Sequence, residues 1–257
     1  MLLAIDVGNT ETVLGVFREE DLAWRWRMAT VPNRTADELA LLFGGFLEQQ
    51  GLSFDRNVTA VIVSSVVPTA TQALRDMVRR YFRFPPLVVE PGVKTGVAVL
   101  IDNPKEVGAD RIVNSLAAFT KFGGPAVVVD FGTATTFDCV SENGEYVGGA
   151  IAPGLQVAAQ ALFEQTARLP LVELMPPRSV IGKGTVEAVQ SGLVLGYASM
   201  VDGMIERIAK ELGQPTVIAT GGLAPAVIGE CRTIDHHEPW LTLEGLRLVF
   251  DKNAEPA

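Results

Sequence analysis

Met1-Leu-Leu-Ala-Ile-Asp6-Val-Gly8-Asn-Thr10 opens the chain, and a variant of it returns as Val127-Val-Val-Asp130-Phe-Gly132-Thr-Ala-Thr135. Each copy is an apolar run, then Asp, one residue, Gly, then hydroxyl or amide side chains and a second β-rich run. That spacing suits a buried strand delivering an acid to a tight turn. The Gly lets the backbone come close to a ligand, and amide N–H groups and Thr hydroxyls point inward. Such a turn can hold phosphate oxygens, with Asp6 and Asp130 placed to manage the cations that accompany phosphate. Either copy alone is read more simply as an Asp and a Gly in a hairpin, where both are common. Recurrence at the same place in the strand order, 130 − 6 = 124 positions apart in 257 residues, argues instead for two related lobes facing one nucleotide.

Working outward, residues 2–7, 12–17 and 22–28 read as a three-stranded meander. Thr35-Ala-Asp-Glu38 is a capping box that starts an amphipathic helix to about Gln50, ended by Gly51. Val58–Val67 is a β-branched run suited to a strand buried on both faces. Pro68 opens a helix to Tyr81, and Leu87–Glu90 closes the first lobe as a strand. Val107–Phe122 is helical in pattern, with Ile112, Leu116 and Phe119 on one stripe. The second lobe repeats the order: strands near 125–130, 134–140 and 145–151, a helix from Leu155 to Ala167, a long helix over Thr185–Leu212, a strand at 215–219, Thr220-Gly-Gly222 and a short helix. Pro170–Pro177 reads as a loop, and the tail after Asp251 is expected to fray.

Composition narrows the function. The hydrophobic content of 48% and charged content of 20% describe a well-packed globular chain, long enough for one large domain or two ordinary ones. A net charge of −9 supplies no basic footprint, so neither nucleic acid nor an anionic membrane surface is an expected partner. An anionic nucleotide is still compatible with this charge if backbone amides and a metal do the local work. Two cysteines, Cys139 and Cys231, give no disulfide framework and fit a reducing compartment. The apolar start is broken by Asp6 and lacks a basic flank, so no secretory leader is expected, nor does any apolar run reach membrane-spanning length. The expected location is the cytoplasm.

The common nucleotide fingerprints are missing. Gly182-Lys-Gly-Thr185 lacks the upstream Gly of a P-loop, and no Gly-x-Gly-x-x-Gly follows a strand. Phosphate binding therefore falls to the two Asp-x-Gly turns. Thr220-Gly-Gly-Leu223 follows a strand and precedes a helix, where adenosine can lie against the Gly pair; a ligand-free turn reads equally well. Asp102-Asn-Pro104 and Gly108-Ala-Asp-Arg111 form a polar patch where the lobes join. Asp110 and Arg111, adjacent on a helix, do not face one another. They suit a small substrate bearing a hydroxyl and a carboxylate, Arg being the bidentate clamp, although an ordinary helix start has the same look. His236 and His237 sit in a charged loop without a second ligand cluster, which argues for solvent-facing side chains over metal ligands.

With these residues assembled, the chain resembles the type III pantothenate kinases of the acetate and sugar kinase/Hsp70/actin superfamily. The resemblance covers nearly the whole chain and rests on seven motifs in the family's order. They are Asp6-Val-Gly-Asn-Thr10, Ser65-Val-Val-Pro68, Asp102-Asn-Pro-Lys-Glu-Val-Gly-Ala-Asp-Arg111, Asp130-Phe-Gly-Thr-Ala-Thr135, Gly148-Gly-Ala-Ile-Ala-Pro-Gly154, Gly182-Lys-Gly-Thr185 and Thr220-Gly-Gly-Leu-Ala224. It implies an α/β fold of two related actin/ribonuclease H-like lobes with mixed sheets and an interlobe cleft. The N-terminal lobe would be 1–103, with the first phosphate turn, and the C-terminal lobe 104–257, with the second turn and the adenosine side.

By the same resemblance, Asp6, Val7, Gly8, Asn9, Thr10, Glu11, Thr12, Val13 and Thr133 would bind ATP, accompanied by a divalent cation, expected to be magnesium. Asp130 would hold a monovalent cation, potassium or ammonium. Gly108, Ala109, Asp110, Arg111 and Thr185 would contact pantothenate, with Asp110 as the base, in a homodimer. The reaction implied is phosphorylation of the primary hydroxyl of pantothenate, the first committed step to coenzyme A. Two positions depart from the pattern: Ile101 stands where the family commonly has Tyr, and Gly184 where it often has Asn. Neither removes a residue that carries charge. Two alternatives stand beside this reading: a non-catalytic nucleotide-binding regulator of the same fold, and a kinase for another small hydroxylated metabolite. Asp110 and Arg111 favour an enzyme. The apolar stripe Val189, Leu193, Tyr197, Met200 and Met204, with Gly192, Gly196 and Ala198 beside it, is the expected dimer face; packing inside its own lobe is the other reading.

Overall fold

A computed structural model describes residues 1–254, which divide into two compact units. The first comprises Met1–Val97, Asn103–Ala117 and the segment from Thr242 onward; the second comprises Ala98–Asp102 and Ala118–Leu241. The units thus interleave along the chain, where the sequence reading draws one boundary between 103 and 104. The strands are β1 (Leu2–Val7), β2 (Glu11–Arg18), β3 (Asp21–Ala29), β4 (Ala60–Ser65), β5 (Leu87–Val88), β6 (Ala126–Phe131), β7 (Ala134–Val140), β8 (Tyr146–Pro153), β9 (Thr216–Thr220) and β10 (His236–His237). The helices are α1 (Ala36–Glu48), α2 (Pro68–Met77), α3 (Ala109–Phe122), α4 (Leu155–Glu164), α5 (Thr185–Gln190), α6 (Gly196–Leu212) and α7 (Leu241–Asn253).

The first sheet runs β3-β2-β1-β4-β5. β1 is antiparallel to β2 and parallel to β4, and the parallel pairing is reached through the crossover helix α1. Leu3, Ile5 and Val7 of β1 share a face with Leu14, Val16, Val61 and Val63, and there they bury Phe43 and Leu47 of α1 and Leu74 and Met77 of α2. The capping box forms as read: the Glu38 N–H donates to the Thr35 hydroxyl at 3.3 Å, and the Thr35 N–H donates to the Glu38 carboxylate at 2.8 Å. The helix opened by Pro68 widens into a π-helical turn over Val78–Phe82 and stops at Arg83, which is left-handed (φ 66°).

α7 was not anticipated from the sequence. A Cβ at Gly15 of β2 would fall 2.7 Å from Leu243 of α7, and Gly245 lies directly against the Val113 carbonyl of α3. Two glycines thus let a helix pack at close range on a strand and on another helix. The tail expected to fray after Asp251 stays helical through Asn253, whose side chain accepts from the Lys94 N–H (3.1 Å) and donates to its carbonyl (2.8 Å). Residues 255–257 lie outside the described residues.

The second sheet runs β10-β9-β6-β7-β8, which from its other end is the order of the first. β6 is antiparallel to β7 and parallel to β9, as β1 is to β2 and β4. Val127, Val129, Phe131, Phe137 and Val217 pack with Leu155 of α4 and Val201 and Ile205 of α6. The long helix over Thr185–Leu212 is continuous but passes through a π-helical turn at Ser191–Leu195 between α5 and α6. Its stripe is a correction to the sequence reading: Leu193 is inside this unit's own core, and Val189, Tyr197, Met200 and Met204 pack against it. The short helix expected after Gly222 is two 3-10 turns, and His236 and His237 form the edge strand β10 rather than a loop. Among the described residues no helix is long and apolar enough to cross a membrane.

Candidate active site

In the first unit Asp6 lies near the end of β1, in register with Val13 of β2 and Ser64 of β4. The Gly8 N–H donates to the Glu11 carbonyl at 3.0 Å, closing a turn whose tip, Asn9 and Thr10, is exposed. Val7 and Thr12 are buried, and the Thr12 hydroxyl shares a 2.8 Å hydrogen bond with that of Thr30. These two residues therefore have main chain, not side chain, to offer a ligand. The Glu11 carboxylate accepts from Arg27 at 3.1 Å.

Gly108–Arg111 belongs to the same unit. Ala109 begins α3, so Asp110 falls in the first turn, where the helix dipole favours a negative charge. Its Oδ1 accepts from the Arg111 N–H at 2.9 Å and occupies the space that a Cβ on Gly108 would need. Burial raises the Asp110 pKa above the ordinary 3.8, against the opposing pull of the Arg111 N–H and guanidinium. A carboxylate shifted upward by burial is a stronger proton acceptor than one in water, which suits a general base.

In the second unit Asp130 lies near the end of β6, in register with Thr136 and Thr220. Its turn is tighter than the first: the Gly132 N–H donates to the Ala134 carbonyl at 3.0 Å, leaving Thr133 exposed at the tip. Gly221 (φ +93°) backs the acid, and its missing Cβ is the space that Asp130 Oδ1 fills. The Leu223 N–H then donates to the Phe131 carbonyl at 3.1 Å, fastening the Thr220-Gly-Gly222 turn to the second phosphate turn. Of the two threonines in register with Asp130, Thr136 donates its hydroxyl to Asp138, a second carboxylate, fully buried, two residues further along β7. Among the described residues no group of three or more His, Cys, Asp or Glu is arranged as a metal centre. Carboxylate, hydroxyl and main-chain oxygens are the ligand chemistry of a hard cation.

Thr185 begins α5 and is exposed on a cavity of about 650 Å³ lined by Leu162, Leu169, Lys183, Thr185, Val189 and Gly192, among others. The segment leading to it is tied to the helix behind: Ser191 donates to the Val180 carbonyl at 2.6 Å and Gln190 to the Glu173 carbonyl at 3.0 Å. His236 stacks on Phe122 with ring centroids 4.4 Å apart, and both histidines are exposed, as read. Neither Cys139 nor Cys231 is in a disulfide, and burial, with Asp202 and Glu230 nearby, pushes the Cys231 thiol up to about 12, so it is inert as a nucleophile.

The structure therefore places Asp6–Val13 and Gly108–Arg111 in one unit, and Asp130, Thr133 and Thr185 in the other. Sequence reasoning missed three residues. Gly221 was singled out for a nucleotide base, not as the cradle of Asp130. Asp138 is fully buried on β7, accepting from Thr136 at 2.9 Å and Tyr146 at 3.2 Å. Its signal was an acid set between Phe137 and Cys139 on a strand. Asn114, buried on α3 one turn past Asp110, was likewise legible as a polar residue on an apolar stripe.

A family model described as type III pantothenate kinase matches residues 2–207. A type III pantothenate kinase of Streptomyces griseus is 55% identical, covering 100% of each chain. One of Frankia alni is 58% identical, covering 98% of this chain and 100% of its own. Among solved structures, the (R)-2-hydroxyglutaryl-CoA dehydratase component A of Acidaminococcus fermentans superposes with a TM-score of 0.60 at 16% identity, covering 99% of each chain, a likeness of fold alone.

Proposed function

The chain belongs to the type III pantothenate kinase family, and from that premise we propose that it transfers the γ-phosphoryl group of ATP to the primary hydroxyl of pantothenate, giving 4'-phosphopantothenate for coenzyme A synthesis in the cytoplasm. The observation that carries the reading in this chain's own residues is Asp110, a half-buried acid at a helix start with a raised pKa, beside Arg111. Arg111 clamps the pantothenate carboxylate, and the Gly108–Ala109 main chain and Thr185 hold the rest of the substrate. Asp110 orients the acceptor hydroxyl and takes its proton as the oxygen bonds to the γ-phosphorus and the bond to the β–γ bridging oxygen breaks, releasing ADP. Such a loose, in-line transfer asks the protein mainly for positioning and charge neutralisation.

The Asp6–Val13 turn and Thr133 bind the ATP phosphates through main-chain N–H groups and the exposed Asn9, Thr10 and Thr133 side chains. A divalent cation, magnesium in this reading, neutralises phosphate charge when bound with ATP. Asp130, cradled by Gly221, holds a monovalent cation, potassium or ammonium. A homodimer is supported by exposed apolar side chains on the second unit, Ile151, Val157, Phe163, Leu171, Val180 and Ile181. ADP release measured over a panel of hydroxy acids, sugars and pantothenate tests the assignment. Pantothenate is expected to be the preferred acceptor, and a sugar turned over faster would overturn the substrate.

A further inference from the structure

Among the described residues Asn114 leaves two buried side-chain atoms, the acceptor Oδ1 and the donor Nδ2, without a hydrogen-bond partner, where Ser64 and Thr135 each leave a single hydroxyl. It is 1% exposed. Its neighbour Ser115, equally buried, solves the same difficulty locally by donating to the Arg111 carbonyl at 2.8 Å. A carboxamide taken out of water without replacement bonds is destabilising, and a leucine, branched at the same Cγ, would carry no such penalty. Nor does helix propensity favour Asn in mid-helix. A residue that costs stability in this way calls for an explanation outside the resting fold.

Its place on the helix supplies one. Asn114 is four residues after Asp110, one turn along the same stripe of α3, and helical side chains lean toward the N-terminus. The carboxamide is thus carried toward the turn that bears the acid, and amide–carboxylate pairs at this spacing hydrogen-bond on helices. Asp110 meanwhile has Oδ1 turned back onto the Arg111 N–H, over Gly108. We propose that Asn114 is a positioning residue: when substrates are bound, its Nδ2–H donates to one oxygen of the Asp110 carboxylate, leaving the other directed at the acceptor hydroxyl. The inference rests on Asp110 as the base.

The test compares wild type, Asn114→Leu, Asp110→Asn and the double variant, reading kcat and KM for pantothenate together with Tm. Asn114→Leu is expected to keep or raise Tm, to lower kcat roughly tenfold or more, and to leave KM within about twofold. The double variant is expected to be no slower than Asp110→Asn alone, since a residue acting through Asp110 has nothing left to position. Wild-type kcat in Asn114→Leu, or a further loss on top of Asp110→Asn, would overturn the inference. A lowered Tm with a proportionate loss of activity would overturn it too, as the mark of a structural role. If Asn114→Leu does not fold, Asn114→Ala is read by the same kinetic criteria. A near-wild-type kcat in Asp110→Asn would instead remove the base on which the inference rests, an outcome visible in that single variant.

Discussion

Asp110 is held between two demands, since a base must be ionised while burial favours its neutral form. Its folded pKa is raised above the unfolded value, so the folded state binds more protons in the window between the two. Stability contributed by this group is therefore present below the unfolded pKa and lost as pH rises through the folded one. Asp110→Asn should leave Tm at pH 7 unchanged or higher, by thermal melts, because it removes a charge that the fold partly desolvates. Turnover should show the opposite sense. The active carboxylate is lost as pH falls through the raised pKa, so the acid limb of the kcat profile should lie above the ordinary carboxylate value of 3.8. Arg111→Ala should differ in kind, raising KM for pantothenate more than it lowers kcat in steady-state assays, because a bidentate clamp is lost.

At the scale of elements, the turns decide what a strand end can hold. Gly221→Ala would force a left-handed backbone on alanine and drive its methyl into the space of Asp130 Oδ1. The expected result is loss of potassium dependence together with most activity, as for Asp130→Ala; an alanine variant with normal activity that still responds to potassium would contradict the cradle. Thr35→Ala, by contrast, removes one side of the α1 capping box and should cost about 1 kcal/mol in urea unfolding, with kcat unchanged. The capping box, both meanders and the acid-bearing turns were legible because each is written locally, in spacing and turn chemistry. α7 was not, because what places it is two glycines permitting contact with residues distant in sequence, Gly15 with Leu243 and Gly245 with Val113. The π-helical turns at Val78–Phe82 and Ser191–Leu195 were equally hidden, since the apolar pattern passes through both without a break.

At the scale of the whole molecule, the same strand order occurs twice, which is why one short motif read twice was enough to give the fold. The repeat is not perfect: Asp6 pairs with Val13 but Asp130 with Thr136, so the first turn is one residue longer. Gly15 stands in β2 where the second sheet has the buried Asp138. The site was legible in its charged and glycine residues; Asn114 and Asp138 stand out in the sequence only as polar residues among apolar ones, and what they do comes from burial. Assembly is a whole-molecule property as well. Ile181→Glu puts a charge among the exposed apolar side chains of the second unit and should shift a dimer toward monomer by light scattering, with Tm little changed, because Ile181 is 81% exposed. The most direct test of the account is ADP release with ATP and pantothenate as sole acceptor, wild type beside Asp110→Asn. Pantothenate-dependent release by the wild type and a kcat lower by roughly 10²–10⁴-fold in the variant are expected; no response of the wild type to pantothenate, or a variant within a few-fold of it, would overturn Asp110 as the base of a pantothenate kinase.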